Sequence, residues 1–167
     1  MNATELKSLQ APLKEKYRDD PKAAVITLKA LAKLGEGISC KVDTGKATVE
    51  AGLHPATGGT GLLACSGDML LEALVACAGV TLRAVATAIG IENIEGRIKA
   101  EGDLDFRGTL GVSKEAAVGF ASIRLTFDLE SEASAEQIES LKKLTERYCV
   151  VYQTLIKGVA VTTFFNS

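Results

Sequence analysis

Two cysteines stand in helix-like stretches of opposite character. Cys77 lies in the nearly all-apolar Leu74-Val-Ala-Cys-Ala-Gly-Val-Thr81, and Cys149 in the amphipathic Glu146-Arg-Tyr-Cys-Val-Val-Tyr152. Sulfur chemistry is the chemistry these residue types offer, and a thiol performs it only as a thiolate. Cys77 sits about three turns into its expected helix, beyond the reach of the N-terminal partial charge. Burial among Ala, Val and Leu would raise its pKa, so it needs a cation or hydrogen-bond donor from elsewhere in the fold. Arg83, six positions along, projects from another face, and Glu72, five positions back, is rotated away at ~100° per residue. Lys143 and Arg147 lie near Cys149 in helical spacing and predict a more positive field there.

The remaining candidates are weaker. Cys65 directly precedes Ser66, an N-cap type, where backbone N–H groups favour a thiolate. On position alone it competes with Cys77, while Cys40 has no visible activating neighbour. His54, between Leu53 and Pro55, reads as a loop residue within reach of the nearby glycines and Cys65. Asp68 and Glu72 are one helical turn apart; Asp68 suits a helix start, whereas Glu72 interrupts an apolar run and should need a partner. Free cysteines in apolar helices are commonly core filler, so a working dithiol competes with inert packing. The cysteines at 40, 65, 77 and 149 lack zinc-site spacing, and the chain has 1 His; neither metal nor cofactor is expected.

With 167 residues, 47% hydrophobic and 24% charged, the chain fits one folded domain with a real core. A net charge of -2 and the absence of Trp and of basic-aromatic runs argue against nucleic acid and anionic membranes as partners. The N-terminus is polar and broken by Pro12 and Pro21, unlike a signal peptide, which predicts a cytoplasmic location and reduced thiols. The apolar run 69–91 approaches membrane-spanning length but contains Glu72 and Arg83; it reads as a buried helix, one able to lie between subunits.

The elements that must position these thiols follow from periodicity and punctuation. Residues 1–22 read as an N-terminal arm or helix and 23–167 as the domain proper. Strands are expected within 22–34, 38–42 and 47–51, with a turn at Asp43-Thr-Gly-Lys46 and a loop over 52–67. Ser66 predicts a cap for a helix over 67–88, ended by Gly90. Alternating patterns over 94–106 and 120–129 predict two strands joined through Gly108, Gly111 and Gly119. Ser134 predicts a second continuous helix over 135–156, ended at Lys157-Gly158, and 159–165 a closing strand. This order implies an α+β fold with a mostly antiparallel sheet and two long helices.

Gly67-Asp-Met-Leu-Leu-Glu-Ala-Leu-Val-Ala-Cys-Ala-Gly-Val-Thr-Leu82 resembles the first-cysteine helix of the OsmC/Ohr family of thiol peroxidases, and Glu146-Arg-Tyr-Cys-Val-Val-Tyr-Gln-Thr-Leu155 is similar to its second-cysteine helix. The likeness runs through 102–110, 120–127 and the closing strand, covering roughly 24–165. It implies an OsmC-like intertwined homodimer with the two long helices packed centrally. It further implies a peroxidatic Cys77 that attacks an organic hydroperoxide, a resolving Cys149, and a cellular dithiol as reductant. The family's activating glutamate falls on Gly67, leaving Asp68 and Glu72 as candidate acids. Its early arginine has no counterpart in 38–60, where Lys41, Lys46 and His54 are the alternatives, and the proline after the second cysteine is Val150. A non-catalytic OsmC-like domain binding a small apolar ligand or partner is the competing reading. A third makes Cys65 and Cys40 the redox pair.

Overall fold

The computed structural model describes residues 2–25, 27, 31–34, 39–43 and 47–165, with 21, 22, 31–34 and 39–43 by backbone alone. The chain forms two compact units: Met1–Ser8, Ala73–Ile98 and Phe127–Ser167 make one, Leu9–Glu72 and Lys99–Thr126 the other.

Helix α1 (Ala3–Asp19) is started by a reciprocal cap, in which the Asn2 N–H donates to the Glu5 carboxylate and the Glu5 N–H to the Asn2 side chain, both at 2.9 Å. None of its residues is buried.

In the second unit β1 (Leu31–Leu34), β2 (Ser39–Asp43) and β3 (Thr48–Gly52) pair antiparallel in that order, and the two-residue β4 (Ala64–Cys65) joins β3 in parallel. The strand expected within 22–34 is shorter, because Pro21–Ala24 forms a 3-10 turn suited to proline's fixed φ. The predicted turn falls on 44–46, outside the described residues; the register Asp43↔Thr48 brackets it. The expected loop 52–67 contains β4 and a second 3-10 turn, Pro55–Thr57, whose N–H at Ala56 donates to His54 Nδ1 at 3.1 Å.

Helix α2 (Ser66–Ala88) starts on Ser66, one residue earlier than expected. It stops where predicted: Gly90 adopts a left-handed φ of 79°, and the Ile91 N–H closes back on the Ala86 carbonyl at 2.9 Å. Its length and mean hydropathy of 1.8 would suit a membrane span, but it carries a buried stripe of Leu74, Ala78, Leu82, Val85 and Ala86. Leu82, Val85 and Ala86 of that stripe pack in the first unit with Ile91, Ile94 and Leu141, and Phe127, Leu129 and Ile138 lie around them. The opposite side is not buried as the sequence suggests: Val80 is 73% exposed.

Strands β5 (Ile94–Leu104) and β6 (Phe120–Ser131) form a separate two-stranded sheet, so the strands divide between two sheets rather than one. Between them a single helical turn, α3 (Phe106–Thr109), is capped by the Asp105 side chain.

The second long helix departs from expectation. Helix α4 (Ala135–Tyr148) opens with a capping box between Ser134 and Gln137, then stops; α5 (Val150–Lys157) begins after Cys149. Cys149 itself is extended, with φ -72° and ψ 108°, and serves as C-cap of one helix and N-cap of the next. The expected closing strand is absent as well. Residues 159–165 pair with no strand among the described residues and are exposed, Phe165 to 94%. A β-prone segment becomes a strand only when it finds a partner edge.

Candidate active site

The break at Cys149 rearranges backbone hydrogen bonding. In a continuous helix the N–H groups of Val150, Val151 and Tyr152 would be taken by the carbonyls of Glu146, Arg147 and Tyr148. Turning the chain to ψ 108° at Cys149 releases all three, because they become the first N–H groups of α5. They find sulfur instead. Val150 and Val151 donate to the Cys77 thiol, and Tyr152 and Val151 to Cys149. The two thiols also act on each other, so the fold brings together residues 72 positions apart in the chain.

Their environments push the two sulfurs in opposite directions. Burial tends to raise Cys77. The Val151 N–H, the Cys149 thiol, the Val150 N–H and the Thr81 hydroxyl outweigh it and hold Cys77 below the ordinary thiol value. Cys149 is only 1% exposed, and burial pushes it up. The Tyr152 N–H pulls the other way, but acting as the donor to Cys77, and lying beside its negative charge, keeps Cys149 protonated to higher pH. The pair thus sets a more acidic thiol, Cys77, against a less acidic one, Cys149.

The cations proposed from spacing do not take part: Lys143 pairs with Glu139 at 3.5 Å, and Arg147 lies over the Tyr148 ring at 5.5 Å. Arg83, set aside on its helical face, donates to the Ile94 carbonyl. The positive field expected at Cys149 is therefore corrected: α4 turns these side chains to the surface, and burial decides the direction of its shift. Nor is Cys149 mid-helix, as the amphipathic pattern suggested. Of the two candidate acids, Glu72 needs no buried partner, because α2 presents it to solvent; Asp68 is exposed too. Neither figures among the groups that shift Cys77. Lys46 lies outside the described residues, as does the side chain of Lys41. Sequence reasoning missed Thr81, although its place one turn after Cys77 is an ordinary helical neighbour spacing. It also missed the main-chain donors, which carry no side-chain signature.

The second unit holds a cleft of about 330 Å³ lined in part by His54, Cys65, Gly67, Asp68, Phe106 and Phe120. This gathers His54 and Cys65, as their sequence positions suggested, but not the nearby Gly58-Gly59 pair. His54 stacks on Phe106 at 5.0 Å. Because its Nδ1 accepts from Ala56, a neutral His54 carries its proton on Nε2 and is a donor rather than a base. The β-sheet register excludes Cys65 with Cys40 as a disulfide pair: Cys40 aligns with Ala51 and Cys65 with Gly52, two strands apart and one step out of register. Two strand spacings are roughly 10 Å, beyond disulfide reach. Among the described residues no group of three His, Cys, Asp or Glu stands close enough to hold a metal ion.

Solved structures share this fold. An OsmC-like protein from Mycoplasma pneumoniae superposes with a TM-score of 0.61 at 18% identity, covering 80% of this chain and 89% of that one. An organic hydroperoxide resistance protein OsmC from Legionella pneumophila gives 0.57 at 18%, over 81% and 92%. The organic hydroperoxide resistance protein OhrB of Bacillus subtilis gives 0.52 at 23%, over 81% and 93%. A comparison with curated protein sequences finds no match. The family model described as OsmC-like protein matches residues 59–164, which take in both cysteines of the pair, the helix that carries Cys77 and the break that carries Cys149. By that match the chain belongs to the OsmC-like protein family.

Proposed function

We propose that the protein is a thiol-dependent peroxidase that reduces organic hydroperoxides. The observation that carries this reading is the meeting of two thiols at the helix break, Cys77 lowered and Cys149 raised. In the first step the Cys77 thiolate attacks the distal oxygen of ROOH. The O–O bond breaks, the alkoxide leaves and is protonated to ROH, and Cys77 becomes a sulfenic acid. Cys149 then gives up its proton and attacks that sulfur, releasing water and forming the Cys77–Cys149 disulfide. A cellular dithiol restores both thiols and is itself oxidised to a disulfide. The names of the Legionella and Bacillus relatives agree with this chemistry. The exposed apolar side chains beside the pair, Val80 and Val150, suit an alkyl or lipid hydroperoxide. They and the unpaired 159–165 segment also support a homodimer as the working form.

Addition of one equivalent of cumene hydroperoxide to the reduced protein, followed by peptide mass mapping, is expected to yield a Cys77–Cys149 disulfide. Cys77→Ser should abolish turnover. Cys149→Ser should allow a single turnover and leave Cys77 to overoxidise to the sulfinic acid. Two unmodified thiols would overturn the reading and favour the other one, a binding module. Gly67 in place of the family's acid favours that alternative, and the cleft, where Leu71, Leu104, Phe106 and Phe120 stand beside His54, Asp68 and Asp103, is where it would hold a small ligand.

A further inference from the structure

Breaking a helix leaves carbonyls as well as N–H groups without partners, and a carbonyl kept from both water and a donor is costly. At this break the Glu146 carbonyl would otherwise be bonded by Val150. It is taken instead by the side-chain amide of Gln153, whose Nε2 donates to it at 2.8 Å from the far side of Cys149. Gln153 also donates its backbone N–H to the Cys149 carbonyl at 2.9 Å, the first bond of α5. The Cys149 N–H still bonds Thr145 at 3.0 Å, the last bond of α4. One side chain therefore spans the discontinuity and satisfies the group that would otherwise pull Val150 back into a continuous helix.

We propose that Gln153 is a positioning residue of the thiol pair: by occupying the Glu146 carbonyl it holds the chain open at Cys149, so that the freed N–H groups of Val150 and Val151 face the Cys77 sulfur. Gln153 does not act on Cys77 itself. This deepens the peroxidase reading and rests on the same site, but its consequence is readable without peroxide. Among the described groups, the titratable partner of Cys77 is Cys149, and its other donors are Thr81 and the main chain. No Lys, Arg, His or carboxylate is among them. Two of the four donors that lower Cys77 are then backbone N–H groups, and Gln153 sets their place. The extended dihedrals of Cys149 and the place of Val150 at the first position of α5 are those a following proline accepts. Val150→Pro therefore deletes one donor N–H while leaving the break intact.

The test is the pH profile of Cys77 alkylation by iodoacetamide in the reduced full-length protein, followed by peptide mass mapping. Gln153→Met keeps length and volume but loses the donor. It should move the profile to higher pH and slow the reaction at pH 7 by at least about threefold. Val150→Pro should do the same. The double variant should match Val150→Pro alone, because a proline has no N–H with which to re-close the helix on the Glu146 carbonyl and so keeps the break open without Gln153. A folded Gln153→Met protein whose profile superimposes on the wild type would overturn the proposal, and so would additive effects in the double variant. If circular dichroism shows Gln153→Met unfolded, Gln153→Glu, with an acceptor in the donor's place, carries the same expectation and the same refutation. Gln153→Lys restores a donor and should return the rate to wild type or above. A wild-type protein with an early alkylation profile but no peroxide turnover would sink the peroxidase reading and leave this inference standing.

Discussion

Thr81 stands one helical turn beyond Cys77, and its hydroxyl is one of four donors that lower the thiol's pKa. Thr81→Val removes the donor and keeps the branched shape. Alkylation of Cys77 at pH 7 should slow several-fold, because hydrogen bonds to charged groups are the stronger kind. The sign of the pH dependence follows from the opposed shifts of the pair. Cys77 is lowered, so its reactivity persists to more acidic solution than an ordinary thiol's and is lost as pH falls through its own midpoint. Cys149 is raised, so it stays inert until more alkaline pH. Differential alkylation at pH 7 should therefore label Cys77 and spare Cys149; equal labelling would contradict the assignment. That Cys77 and Cys149 come together was legible only through the family resemblance of the segments around them; on their own residues Cys65 competed. The pair's activation was not legible, since it depends on N–H groups that every residue but proline carries.

Elements whose ends are marked locally were legible, and those marked only by distant contacts were not. Ser134, Gly90 and Gly158 each stop or start a helix by their own chemistry, and each does so here. The break at Cys149 has no proline or glycine to announce it, because Glu146–Tyr152 keeps an amphipathic pattern throughout. What stabilises it is Gln153 and a sulfur from another helix. The strand pair β5–β6 supplies a second prediction at this scale. Asp103 on β5 is gripped by the Arg124 guanidinium and by the Ser122 hydroxyl at 2.5 Å on β6, and these bonds hold it at about 2 instead of 3.8. A depressed carboxylate contributes stability that is present above its unfolded value and is lost as pH falls through its folded one. The wild-type urea midpoint should decline from pH 4 toward pH 2. Asp103→Asn should flatten part of that decline, modestly because the pair is solvent-exposed.

At the scale of the whole molecule, a single copy leaves apolar surface without cover: Val80 on α2, Val150 at the start of α5, and Val161, Phe164 and Phe165 beyond the last helix, all between 68% and 94% exposed. The proposed homodimer would cover them. Light scattering should give twice the 17.5 kDa chain mass, and replacing Phe164 and Phe165 together with Ser should shift the protein toward monomer. A monomeric wild type would remove the dimer. The same segment has a second consequence. Val159-Ala-Val-Thr-Thr-Phe-Phe165 contains no charge, no proline and no glycine, and its β-branched and aromatic residues are those that stack into dry fibril sheets. A newly made chain therefore carries an amyloid-prone tail until something pairs with it, and the rate of assembly becomes a race against self-aggregation.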